Sequence, residues 1–161
     1  MWSVTETEGL PKAELYPQLL QQLRALIADE PDAIANMANC AALLFHQVPR
    51  LNWAGFYLLK DEQLVLGPFQ GAPACVRIPL GRGVCGTAAR DRAVLRVANV
   101  HEFEGHIACD SASNSELVLP LLRTDRSVIG VLDLDSPEFD RFDAEDEAGL
   151  TLLASAIAAK L

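Results

Sequence analysis

An α+β fold is predicted for this chain of 161 residues, with a central antiparallel sheet of about six strands carrying helices on one face. Three observations lead there. Apolar residues recur at helical spacing at both ends of the chain, short aromatic or alternating runs bounded by turn residues fill its middle, and one long polar segment interrupts them. The N-terminal helix pair and the C-terminal helix cover one face, which leaves the other free to hold a ligand pocket beneath the irregular segments.

The elements follow in order. Leu15, Leu19, Leu20, Leu23, Leu26 and Ile27 make the apolar stripe of a first helix. Asp32 caps a second, whose stripe runs Ile34, Met37, Ala41, Leu44, Phe45 and Val48 until Pro49 stops it. Leu51 to Leu59 is aromatic-rich and extended, Lys60-Asp61-Glu62 reads as a turn, and Gln63 to Leu66 as the partner strand. Gly67 to Gly71 is expected to break the sheet. Ala74 to Pro79 reads as a strand containing Cys75, Val84 to Arg92 as a short helix, and Val94 to Val97 as a strand. Asn99 to Ser115 is polar and irregular, a length more often functional than filler. Leu117 to Arg123 and Ser127 to Asp135 form two more strands, and Asp143 opens a last amphipathic helix with the character of a capping box. No repeat or linker-like stretch appears, so residues 1–161 read as one domain.

Half the residues are hydrophobic and 22% are charged, a globular balance, with a net charge of −9. That much negative charge repels phosphate backbones and anionic head groups, so nucleic acid and membrane surfaces are poor partners. No apolar run spans a bilayer, and Met1 to Glu8 lacks the basic start and apolar stretch of a signal peptide. A cytoplasmic address is the expectation. In that reducing compartment the four cysteines, Cys40, Cys75, Cys85 and Cys109, would act as thiols, metal ligands or a redox couple.

Cys40 falls on the apolar stripe of the second helix, where a thiol serves as a small hydrophobe. Cys85, beside Gly86 at the start of a helix, and Cys109, in the polar loop, occupy settings that can depress a thiol pKa. Zinc ligation by Cys75, Cys85, Cys109, His101 and His106 is the competing reading, disfavoured because the chain has no CxxC. Strand alternation places Asp133 and Asp135 on one face, roughly 7 Å apart, where each raises the other's pKa if water is scarce. Asp135 taken alone reads as a strand end facing water, whereas Asp133, mid-strand after three apolar residues, suits function as well as structure. Glu116 joins them if its strand pairs alongside. Trp53 and Tyr57 share a strand face, with Gly55 leaving room between them.

Taken together, these segments resemble the free methionine-(R)-sulfoxide reductase family, a catalytic branch of the GAF domains. The likeness rests on Asn52-Trp53-Ala54-Gly55-Phe56-Tyr57-Leu58, Leu66 to Gly71, Ala74-Cys75-Val76-Arg77-Ile78-Pro79 and Gly81-Arg82-Gly83-Val84-Cys85-Gly86-Thr87. It continues in His106-Ile107-Ala108-Cys109-Asp110, Ser113-Asn114-Ser115-Glu116 and Gly130 to Ser136. The resemblance implies Cys109 as the attacking cysteine, Cys75 as its resolving partner and Cys85 as a third cysteine of less settled contribution. It also implies Glu116, Asp133 and Asp135 as the acids that hold the sulfoxide oxygen, and Trp53 with Tyr57 as the wall around the substrate methyl group. The implied reaction passes through a sulfenic acid and a disulfide recycled by a thioredoxin-type reductant, with no cofactor and no metal. A homodimer is compatible with such a fold. The alternative is a non-catalytic GAF sensor of small molecules, which would be expected to carry an effector domain.

Overall fold

In the computed structural model, which describes residues 5–107 and 109–161, the two N-terminal apolar stripes form helices α1 (Lys12–Leu26) and α2 (Ala33–Gln47). The leader reading at residues 1–4, and Ala108 within the polar loop, fall outside the described residues. The Asp32 carboxylate caps α2 by accepting from the Ala35 N–H at 2.8 Å. Strands β1 (Trp53–Lys60), β2 (Gln63–Gly71) and β3 (Arg77–Pro79) follow, then helix α3 (Gly83–Asp91), β4 (Leu95–Val97), a 3₁₀ turn at Val100–Glu102, β5 (Ser115–Leu122), β6 (Val128–Ser136) and α4 (Ala144–Ala158). All pairings are antiparallel, in the order β3-β2-β1-β6-β5-β4. No helix among the described residues is long and apolar enough to cross a membrane.

Alternation sorts this sheet into two unlike faces. Ala54, Phe56, Leu117, Leu119, Leu121, Leu132 and Leu134 bury under α1, α2 and α4, together with Cys40. Full burial of one such leucine is worth about 1.5–3 kcal/mol, so this layer supplies most of the driving force. Trp53, Tyr57, Val118 and Val131 point the other way and meet Val84, Cys85, Ala88 and Ala89 of α3. Gly86 lets α3 seat there, because a side chain at that position would run into the Pro79 carbonyl.

Two expectations are corrected. Gly67 to Gly71 does not break the sheet but continues β2, as a bulge at which two residues, Gly67 and Pro68, oppose Phe56. Pro68 is tolerated because β3 pairs only with Gln63, Leu64 and Val65, so the outer edge of β2 asks for no donor at position 68. Cys75 is not in a strand. Residues 72–76 form an irregular arm, and β3 begins at Arg77.

The helical layer is closed by one buried charge cluster. Asp146, in the first turn of α4, accepts from Arg141 Nη1 at 3.0 Å, from Lys12 Nζ at 2.6 Å, from the Asp143 N–H at 2.8 Å and from the Tyr16 hydroxyl. Asp143 returns the capping box by accepting from the Glu145 and Asp146 N–H groups. Arg141 and Asp146 side chains are fully buried. Removing one member strands the other charge, so Asp146→Ala is expected to cost about 3–5 kcal/mol. Urea denaturation checks this as a lower midpoint at unchanged slope, and a loss below about 1 kcal/mol would show the pair to be dispensable.

Candidate active site

The ladder registers aim the polar side chains at one place. Trp53 lies opposite Asp135, which lies opposite Glu116, and in the next row Gly55 faces Asp133, which faces Val118. Two adjacent rows thus bring one aromatic ring and three carboxyls to the face away from α1, α2 and α4. Gly55 is what makes the aromatic side possible. A Cβ there would strike the Phe69 side chain and come within 2.7 Å of the Trp53 ring, which instead stacks on Phe69 at 5.2 Å and on Tyr57 at 5.9 Å between centroids. On the far side, α3 presents Cys85 from its first turn.

These groups line a cavity of about 40 Å³, together with Arg82, His106, Ile107, Cys109, Asp110 and Ser113. Room of that size suits a few waters. Cys109 is joined to Cys75 by a disulfide with Cα atoms 5.3 Å apart, which ties the polar loop to the arm that follows β2. Asn52, just before β1, clasps the same loop by donating to Asp110 Oδ2 at 3.2 Å and to Ser113 Oγ at 3.0 Å. From the opposite end, Asn114 Oδ1 accepts from His101 Nε2 at 2.8 Å and Asn114 Nδ2 donates to the Pro137 carbonyl at 2.8 Å.

Cys75, Cys109, Cys85, Glu116, Asp133, Asp135, Trp53 and Tyr57 therefore meet in one region. Of the candidate zinc set, the three cysteines and His106 fall in this region too, but Cys75 and Cys109 are bonded to each other and His101 is exposed. A different trio could offer a cation three ligand atoms, since Cys85 Sγ and one oxygen each from Glu116 and Asp133 lie within 4.8 Å of one another, all buried. Asp135 is not the water-facing strand end expected of it alone, because β6 runs on to Ser136 and its carboxyl lines the cavity. Asn52, Asp110 and Ser113 were not anticipated as site residues. The only local hint was a polar amide opening an apolar strand, where it must find partners.

Electrostatics in this cavity are dominated by burial. Glu116 and Asp133 are each 6% exposed. Loss of water, with the Asp133 and Asp135 charges beside it, holds the Glu116 carboxyl well above the usual range. Asp135 is raised in the same sense, by burial and then by Asp133. Asp133 rises to about 6, burial outweighing the hydrogen bonds from Cys85 and Glu116 that favour its charged form. Glu116 is thus the proton holder and Asp133 its acceptor. The Cys85 thiol, expected to be depressed by its helix N-terminus, is instead pushed well above its usual value. Burial and three nearby carboxylates exceed a helix-terminus effect worth about 0.3–1 kcal/mol. Its Sγ stays protonated and faces Glu116 Oε1 at 3.7 Å. Asp133 Oδ1 is buried with no hydrogen-bond partner among the described residues.

The shape has counterparts. The GAF domain family model matches residues 35–161. Over 144 residues the chain is 56% identical to the free methionine-R-sulfoxide reductase of Escherichia coli (strain K12), covering 89% of this chain and 87% of the relative. Its counterpart from Saccharomyces cerevisiae is 38% identical over 161 residues, with 96% and 89% covered. The structure of the Neisseria meningitidis free methionine-R-sulfoxide reductase in complex with its substrate superposes with a TM-score of 0.94 at 42% identity, covering 99% of this chain and 95% of that one.

A pH consequence follows from the raised acids. Folding binds the Asp133 proton more tightly than the unfolded chain does, so the associated stability is present below about pH 4 and lost as pH rises through about 6. Asp133→Asn is expected to flatten the fall in stability between about pH 4 and about pH 7 by something on the order of 2–3 kcal/mol. Urea midpoints across that window check it; an unchanged slope would place the shift elsewhere.

Proposed function

The chain belongs to the GAF domain family and, within it, to the free methionine-R-sulfoxide reductases, and from that premise we propose that it reduces free methionine (R)-sulfoxide to methionine in this cavity. The observation that carries the reading is the meeting of a raised carboxyl, Glu116, with an unpartnered oxygen of Asp133 and with Cys109 on one small cavity.

A sulfoxide resists thiols until its oxygen can be protonated. The Cys109 thiolate attacks the substrate sulfur while Glu116, hydrogen-bonded within the Asp133 and Asp135 cluster, gives its proton to the oxygen. Trp53 and Tyr57 wall the methyl group. The protonated oxygen passes from the substrate sulfur to the Cys109 sulfur as the substrate sulfur–oxygen bond and the transient sulfur–sulfur bond break, so methionine leaves with two more electrons and Cys109, oxidised by two, is left as a sulfenic acid. The Cys75 thiol then displaces that oxygen as water and forms the disulfide. Cys85 acts by keeping its proton. As a neutral donor to Glu116 Oε1 it holds that carboxyl in place without adding a further negative charge.

A dithiol reductant of the thioredoxin class then returns the pair to thiols, releasing the Cys109 loop so that the cavity can open to the next substrate. No step requires a metal or organic cofactor.

Mixing the reduced chain with free methionine sulfoxide and counting thiols tests the reading. The count is expected to fall by two per chain with one methionine formed. Ligand bound without thiol loss would make this a sensor domain. Cys109→Ser is expected to abolish turnover with little effect on the denaturation midpoint. Glu116→Gln is expected to slow single-turnover chemistry by about 10²–10⁴ with a smaller change in binding; an unchanged rate would move the acid to another residue.

A further inference from the structure

The two sulfurs of the disulfide look out on different surroundings. Cys109 lines the cavity, and Cys75 does not. Cys75 lies on the arm of residues 72–76, whose Ala72, Pro73 and Val76 are exposed, as is Arg77 after it. Val76, adjacent to Cys75, is 64% exposed, more than Ile34, Phe139 or Leu152, the other exposed large apolar side chains among the described residues.

The arm is firm rather than loose. Trp53 Nε1 donates to the Ala72 carbonyl at 3.1 Å, the Tyr57 hydroxyl to the Cys75 carbonyl at 2.9 Å, and the Leu66 N–H to the Val76 carbonyl at 2.9 Å. Three inward-facing carbonyls hold the backbone down and leave Val76 presented outward. From Gln70 to Arg77 the only charged residue is Arg77, so a chain of net charge −9 offers here a surface that does not repel an acidic partner.

We propose that this arm is the docking surface for a dithiol oxidoreductase of the thioredoxin class, with Val76 as the apolar anchor, and that the incoming thiolate attacks Sγ of Cys75. The inference rests on the reductase reading and adds to it the side and the sulfur on which the electrons enter.

Displacement at sulfur runs in line with the bond being broken. Cys109 lines a cavity of about 40 Å³, which admits waters and not a polypeptide, whereas Cys75 lies outside that lining, on the arm. Attack at Cys75 comes from the arm. The oxidoreductase sulfur bonds to Cys75 Sγ, the Cys75–Cys109 bond breaks, and its electron pair leaves on Cys109 as a thiolate. The second thiol of the oxidoreductase, deprotonated, then attacks its own partner sulfur and releases Cys75. Two electrons have moved, the oxidoreductase holds the disulfide, and two protons end on this chain's thiols or in solvent. The order of events has a use: Cys109 is freed first, already inside the site where it acts. Redox encounters bury little area, so a single exposed apolar side chain can hold a large share of the contact.

The test compares two reductants on the whole chain with free methionine sulfoxide. In Val76→Asp, turnover driven by thioredoxin is expected to lose at least about tenfold in kcat/KM for thioredoxin, while turnover driven by dithiothreitol, which needs no docking surface, is unchanged. Equal rates for variant and parent with thioredoxin, or an equal loss with both reductants, would overturn the docking assignment. Independently of that variant, the oxidised chain is mixed with a thioredoxin whose second cysteine is replaced by serine, and the trapped mixed disulfide is mapped by peptide mass. A bridge to Cys75 supports the proposal, and a bridge to Cys109 refutes it. Failure of the unmodified chain to turn over with dithiothreitol would instead reject the reductase reading, leaving the two failures distinct.

Discussion

Three carboxyls on two neighbouring strands share a space with room for only a few waters, and they cannot all be ionised in it. This constraint shapes the rest of the site. It explains why Glu116 retains a proton, why Asp133 sits near 6, and why the Cys85 thiol stays neutral although it stands in the first turn of a helix. An acid kept protonated at neutral pH is a useful group only where something basic arrives, and an oxygen leaving from sulfur is such a visitor. The unfavourable burial is offset by the opposite face of the same sheet, where a leucine-rich layer packs under three helices.

Much of this could be read from local pattern. Period-two alternation was enough to place Asp133 and Asp135 on one face and Leu132 and Leu134 on the other, and the same rule set Trp53 and Tyr57 together. The helices were legible from their stripes, with Asp32 and Asp143 at their starts, because capping is an interaction within three residues. The six-stranded antiparallel sheet with the N-terminal helix pair and the C-terminal helix on one face stands as expected, and so does membership of the reductase branch of the GAF domains.

What local pattern missed depended on distant partners. Gly67-Pro68 looked like a stop because proline cannot donate, yet a bulge on an unpaired edge needs no donor. Cys75 looked strand-like in its own sequence, but its neighbours are drawn across the cavity by Trp53, Tyr57 and Cys109. Asn52 reaches residues 58 and 61 positions away, beyond any window of pattern. The direction of the Cys85 shift was also misjudged, since a helix terminus is visible in sequence and the loss of solvent is not.

The bridge between Cys75 and Cys109 spans 34 residues of chain. Closing a loop of that length restricts the unfolded ensemble by an amount equivalent to about 4 kcal/mol in the chain-entropy account. In the proposed cycle each catalytic round alternates between a stapled polypeptide and an unstapled one, and robustness rises and falls in step with chemistry. When electrons run short the molecules stall in the sturdier form, so the resting enzyme of an oxidised cell would outlast its active counterpart.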